Sequence, residues 1–418
     1  MTETASQPWI SNDAVVLGLL LASLAFVFWT ANRGGPRWQR FYAIVPTILL
    51  CYLIPGLFNT LGIIDGDSSG LYPMARDYLL PTALALLTLG SDLPGMLRLG
   101  PKALWMFLAG TAGVVIGAPI ALLIMGAFDS QLLSADGSDA TWKGMTTLAG
   151  SWIGGGANQA AMKEVFEVDT QLFAKFVAVD VIVANIWTAM LFWIAGNAAW
   201  IDRRIGADTT AIDELRDRLV RFEQEHARNP TLTDLMVVLA AGFGITALAH
   251  ALAGVIAPWI GANFPALSDL ALDSRFFWIV IIATTLGLAL SFTRARQLEA
   301  VGASKIGSVA LYVLVATIGM QIDITRVFTD PQLFALGLIW ISVHAGLMLL
   351  TARLIRAPMF FMAVGSQANI GGAASAPVVA SAFHPALAPV GVLLAVFGYT
   401  LGTYAAWLCG QILRQLVG

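Results

Sequence analysis

The chain has 418 residues, 58% of them apolar and only 12% charged, with a formal net charge of -3. A soluble domain carries roughly 45–50% apolar and about 25% charged residues, so this composition excludes an ordinary soluble protein and indicates a polytopic membrane protein. The lack of any basic domain excludes a nucleic-acid binder, and the two cysteines, Cys51 and Cys409, sit inside apolar runs with no disulfide or metal spacing.

Taken in order, the first apolar run covers 14–31, about the ~18 residues needed to cross a hydrocarbon core. Glu3 and Asp13 precede it and no Lys or Arg does, so it reads as a retained helix and not a cleavable signal. Runs at 41–62, 73–91 and 103–126 follow, then a glycine-rich stretch inside 144–168 and a long run at 172–200. Residues 201–231 are polar. Thr210 and Asp213 resemble a helix cap, with Ile212, Leu215, Leu219 and Phe222 on one face, which predicts a cytoplasmic amphipathic linker. Runs at 235–259, 273–293, 305–322, 332–352 and 386–413 complete the set, with a second glycine-rich stretch inside 358–382.

Charge placement sets the topology. Loops 32–40 and 294–305 are basic and both read as cytoplasmic, so an even number of crossings separates them. The apolar runs between them supply six, and the first glycine stretch would make seven. It therefore reads as a re-entrant hairpin, and the second is assigned by analogy. On this reading most of the 23 Lys and Arg are cytoplasmic. The expected fold is all-α, with two inverted-topology repeats at 1–200 and 232–418, each of five spanning helices plus one hairpin or broken helix.

The two stretches carry the candidate site. The first is Gly150-Ser151-Trp152-Ile153-Gly154-Gly155-Gly156-Ala157-Asn158-Gln159, and the second is Gly365-Ser366-Gln367-Ala368-Asn369-Ile370-Gly371-Gly372-Ala373-Ala374-Ser375. Helix interruptions in corresponding halves are a sequence pointer to a transporter's binding site. Hairpins entering from opposite faces bring their tips together, with helix N-termini aimed at an anionic group. Ser151, Gly154, Gly155, Gly156, Asn158, Gln159, Gln367, Asn369, Gly371, Gly372 and Ser375 are the expected solute contacts. Asp180, about 13 Å into its run, is the expected coupling residue with Asn158 and Asn369. A shift of 217 residues superposes Ile153-Gly154-Gly155 on Ile370-Gly371-Gly372 and places Phe397 opposite Asp180. Tyr399, Thr400, Thr403 and Tyr404 are further candidates for the cavity wall. Thr88 and Thr317 precede Gly90 and Gly319 in matched places and read as packing residues, and His250 and His344 read as satisfied core groups. No nucleophile–base pair, phosphate loop or metal spacing suggests an enzyme.

At Gly150–Asn158 and Asn369–Gly372 the chain resembles the bacterial and plant membrane-protein family labelled domain of unknown function 819. More distantly it is similar to the sodium–glutamate and sodium–citrate symporters and to the bile-acid symporter and sodium–proton antiporter group. That resemblance implies an elevator mechanism with Na⁺ or H⁺ coupling, and by analogy a homodimer. The chain lacks the antiporters' paired acids beside Asp180. The expectation is a carrier of a small anionic organic solute in the bacterial inner membrane, with no cofactor and Na⁺ favoured as coupling ion. A passive holin-like channel and a membrane scaffold or sensor are the alternatives.

Overall fold

A computed structural model describes residues 8–42, 45, 47–66, 68–91, 99–207, 230–264, 272–326, 329–384 and 387–418. Among these the regular elements are helices, with one isolated bridge between Ile10 and Ile64. In order they are α1 (Asp13–Arg33), α2 (Pro36–Tyr42), α3 (Thr47–Thr60) and α4. Helix α4 is continuous through Leu71–Met74, a π turn at Ala75–Leu79 and Leu80–Leu89. Then come α5 (Pro101–Gly126), α6 (Thr141–Val165), α7 (Thr170–Ile205), α8 (Leu232–Asn263) and α9 (Arg275–Ser291). The last five are α10 (Ala303–Gly319), α11 (Pro331–Leu354), α12 (Met359–Ile370), α13 (Gly372–Phe383) and α14 (Ala388–Val417).

Among the described residues six helices are long and apolar enough to cross a membrane, and up to eight spans result if each of two bent pairs counts as one. The bends account for two of the differences from the ten expected spans; α10 is a shorter apolar helix of 17 residues, and α4 is divided by its π turn. The run at 41–62 is not one straight helix, because α2 and α3 meet at 89°, and the basic segment 32–40 is mostly helical. Helix α9 likewise turns through 97° into a 3₁₀ segment at Arg294–Val301, which occupies the second basic loop. Helix α7 extends to Ile205 and ends on Gly206 in the left-handed region, φ 66°, taking the first residues assigned to the linker. The linker's cap and apolar face, 210–222, lie outside the described residues.

Local chemistry fixes the helix starts. Asn12 caps α1 by accepting from the amides of Ala14 and Val15, and Asp169 does the same for α7 at Gln171 and Leu172. Thr231 and Asp234 form a reciprocal capping box on α8. Helix α12 begins after Pro358 and takes its cap from elsewhere. The Met359 amide donates to Asp202 Oδ1 of α7 at 2.8 Å.

The helices pack as two bundles. One, here called the panel, contains α1, α3, α4, α8, α9 and α10. The other, the core, contains α5, α6, α7 and α11–α14. In the core, Trp152 of α6 and Trp340 of α11 are wholly buried with ring centroids 5.1 Å apart, and Trp340 Nε1 donates to the Val114 carbonyl at 2.8 Å. A buried indole N–H needs such a partner.

Candidate functional site: two broken helices held by one

Helix α6 is two arms joined at Gly155, whose φ of 74° and ψ of -173° belong to a region open essentially to glycine alone. The chain turns back there. Eight residues of straight helix would separate Gly150 from Asn158 by about 12 Å, yet a Cβ placed on Gly150 would lie 2.6 Å from the Asn158 carbonyl oxygen.

Asp180 of α7 ties the two arms together. On the first arm, Ser151 Oγ donates to its Oδ2 at 2.5 Å and Trp152 Nε1 to its Oδ1 at 2.8 Å. On the second arm, Gln159 Nε2 reaches Oδ2 at 3.3 Å. Amide and indole N–H groups only donate, so at these two contacts the Asp180 oxygens accept.

The second stretch is broken between α12 and α13, where Gly372 has φ 59°. Gln367 Nε2 donates across the break to Ser375 Oγ at 2.7 Å and to Thr188 Oγ1 of α7 at 3.0 Å. One residue earlier, Ser366 Oγ accepts from Trp187 Nε1 at 2.8 Å and lies 2.8 Å from His344 Nε2. His344 Nδ1 is 3.0 Å from the Gly110 carbonyl, which can only accept. That contact fixes the Nδ1–H tautomer and leaves Nε2 to accept from Ser366. His344 is therefore the satisfied core group that its isolation in the sequence suggests. His250 similarly places Nε2 2.7 Å from the Asp77 carbonyl.

The two predicted asparagines are wholly buried. Asn158 Nδ2 donates to Gly154 O at 3.0 Å and Tyr399 O at 2.9 Å, and its Oδ1 accepts from Thr403 Oγ1 at 2.5 Å. Asn369 Nδ2 donates to Gly365 O at 2.9 Å and Phe107 O at 3.1 Å, and its Oδ1 accepts from Thr111 Oγ1 at 2.8 Å. Both donors of each amide are committed to protein, so oxygen lone pairs are all they have left to offer a ligand.

The two breaks meet. A Cβ on Gly372 would lie 3.9 Å from Gly155 Cα. Helix α14 runs against both, with Gly398 placed 2.8 Å from Ile153 O and 3.4 Å from Ala368 O by the same construction. Gly402 abuts the Gly154 backbone at 2.6 Å, a spacing that admits no side chain. Beside the tip, Gly156 faces Ile48 of α3 and Leu311 of α10, so the first break lies at the seam between core and panel.

Of the candidate residues, Gly154–Gly156 and Gly371–Gly372 form the meeting point, while Ser151, Gln159, Gln367 and Ser375 staple the breaks. Thr403 joins the Asn158 network, whereas Thr400 bonds to Ser91, just after α4, and Tyr404 to Thr285 of α9. Thr88 bonds back into its own helix, as does Thr317. Opposite Asp180 in the repeat, Phe397 packs on Phe107 with centroids 5.4 Å apart. The sequence reading missed Trp152, Trp187, Thr188, Thr111 and Ser366, whose partners are distant in sequence. It also missed Tyr52 of α3, whose ring packs on Phe173 and whose hydroxyl is buried with no hydrogen-bond partner among the described residues. Phe173 lies two turns before Asp180 on α7. No cluster of three His, Cys, Asp or Glu suited to a metal occurs among the described residues.

A family profile described as "Protein of unknown function (DUF819)" matches residues 18–416. The chain belongs to this family. Both broken segments and Asp180 fall within the matched range. The chain is also 22% identical over 370 residues to the "Uncharacterized membrane protein YjcL" of Bacillus subtilis (strain 168), covering 85% of this chain and 86% of that protein. An integral membrane protein is thus supported by the apolar helices and by a membrane-protein relative together.

Proposed function

We propose that this family member is a secondary carrier for a small anionic organic solute, coupled to Na⁺ and working by displacement of the core bundle along the panel. The observation that carries the reading is the meeting of Gly155 and Gly372. Two interrupted helices abut there, inside the core and beside the seam. Interrupted helices expose carbonyls at the end of one arm and amides at the start of the next, a combination suited to a cation beside an anion.

Packing supports an inverted repeat. Exchanging α1 for α8, α3 for α9 and α4 for α10 turns the α9–α4 contact into α3–α10 and the α8–α9 contact into α1–α3, and all of these contacts occur. On this reading α6 and the α12–α13 pair are equivalent re-entrant segments approaching from opposite faces. The coupling ion sits with Asp180, beside the oxygen-bearing side chains of Ser151 and Gln159. The solute's negative group meets the amides opening the second arm of α6 and helix α13.

Thermal unfolding of the purified protein in NaCl and in matched choline chloride tests the coupling. A ligand selective for the folded state stabilises it by RT ln(1 + [L]/Kd), about 2.7 kcal/mol at a hundredfold excess over Kd. Na⁺ should raise the midpoint of the wild type and not of Asp180→Asn. Equal midpoints in both salts for the wild type would remove Na⁺ coupling. A solute flux in proteoliposomes that continues without any ion gradient and far above carrier rates would replace the carrier with a channel.

A further inference from the structure

At the end of the seam where α4 and α9 begin and α6 ends, a cleft of about 430 Å³ opens between the bundles. Arg76, Ser274 and Phe276 line it from the panel, and Lys163, Glu164, Glu167 and Thr170 from the core side. Its inner wall is a charged cluster. Lys163 Nζ donates to the Tyr72 hydroxyl at 2.7 Å and to Glu164 Oε1 at 3.2 Å, with its side chain only 6% exposed. The Tyr72 hydroxyl in turn donates to Glu164. Arg76, bonded to Asp77 at 2.8 Å, also reaches Glu164 Oε2 at 3.8 Å. Tyr72 and Arg76 belong to α4 of the panel, whereas Lys163 and Glu164 belong to the core.

Other polar contacts across the seam join uncharged groups, among them Tyr404 with Thr285 at 2.7 Å and Gln171 with the Gln321 carbonyl at 3.2 Å. Ser91, following α4, lies 3.3 Å from Thr400 Oγ1 and 3.4 Å from the Val396 carbonyl, and Thr284 lies 3.3 Å from Thr403. Neutral hydroxyls can exchange partners along a sliding face at little cost. A charge-assisted bond to a largely buried ion pair is stronger and more specific in geometry.

We propose that Tyr72, Arg76, Lys163 and Glu164 form an electrostatic latch that fixes the register of the core on the panel, and that water and ions entering the adjoining cleft release it. The proposal rests on the carrier reading above, since it assumes that the core moves. Each bundle keeps an internal pairing when the latch opens, Lys163 with Glu164 and Arg76 with Asp77. Opening therefore strands no lone buried charge.

The test places a reporter at the far end of the seam. Ser91 is 1% exposed and stands 19 residues beyond Tyr72 on the same helical path, about 28 Å away. In a Cys51→Ala/Cys409→Ala background, Ser91→Cys is labelled with a water-soluble maleimide. Tyr72→Phe and Arg76→Gln, each leaving the Lys163–Glu164 pair intact, should accelerate labelling by on the order of tenfold. Higher ionic strength in choline chloride should accelerate it in the chain with Tyr72 and Arg76 intact, an arm that needs no latch variant to fold. Labelling indifferent to ionic strength, or to both substitutions in folded protein, overturns the latch. Labelling that follows the latch but not Na⁺ keeps the latch and counts against Na⁺ coupling. The opposite pattern keeps Na⁺ coupling and rejects the latch.

Discussion

Asn158 and Asn369 hold the two broken helices with the same set of bonds. Each donates to the carbonyl four residues earlier, to a carbonyl on a crossing helix, and accepts from a threonine one turn beyond that carbonyl. The carbonyl and threonine are Tyr399 and Thr403 on α14 in one case, Phe107 and Thr111 on α5 in the other. Removing either amide takes a donor from each of two buried carbonyls and the acceptor of a buried threonine. Asn158→Ala and Asn369→Ala should each cost about 1–3 kcal/mol, read as a lower midpoint of thermal unfolding. Asn→Asp should cost more than Asn→Ala, because a carboxylate would face two carbonyl oxygens. Equal losses for Asp and Ala would mean that the amide donors are not what holds the breaks.

Gly155 and its neighbour Gly156 make a controlled pair. Alanine at Gly155 must adopt a backbone conformation costing on the order of 1–3 kcal/mol, whereas Gly156 lies outside the positive-φ set. Gly155→Ala should lower the unfolding midpoint well below that of Gly156→Ala. If the order is reversed, contact with Ile48 and not backbone strain governs the tip.

Asp180 accepts from both arms of α6, so this structural role and its proposed coupling role separate by substitution. Asp180→Asn turns an NH₂ group toward the Ser151 or Trp152 donor and should destabilise even in choline chloride, by about 1–3 kcal/mol. Ser151→Ala removes one staple and keeps the carboxylate, so its Na⁺-dependent stabilisation should persist. Loss of that response in Ser151→Ala would place the ion at the serine.

Lys175 and Asp330 join the start of α7 to the start of α11. The hydrogen bond from Lys175 holds the Asp330 carboxyl below its ordinary value of 3.8. A depressed carboxyl stabilises the fold above its unfolded pKa, and that contribution is lost as pH falls through the lower folded value. Wild type should therefore lose stability below about pH 4 by more than Lys175→Met does. The difference should stay under about 1 kcal/mol, because both groups are partly solvated. Parallel acid limbs in the two proteins would assign the pair no net stabilisation.

Much of the fold is visible in the sequence because lipid imposes long apolar runs and makes Gly154-Gly155-Gly156 conspicuous inside them. Asp180 is conspicuous for the same reason. What holds the breaks is less visible. Trp187 and Thr188 look like ordinary members of an apolar helix until folding brings Ser366 and Gln367, 179 residues away, beside them. The constant shift that aligns the glycines also sets Asn158 against Ser375. The hydrogen bonds pair it with Asn369, because one asparagine follows its turn and the other precedes its own. Sequence order cannot display that exchange of arms. The bends at α2–α3 and after α9 are hidden too, since an apolar run states length and not direction.

Helix α7 grips the first break at Asp180, the second at Thr188, and the opening of α12 at Asp202. Three anchor points along one rod leave the paired breaks no independent travel. A displacement of either one is transmitted to the other through α7, and a load applied to that helix is shared by both breaks.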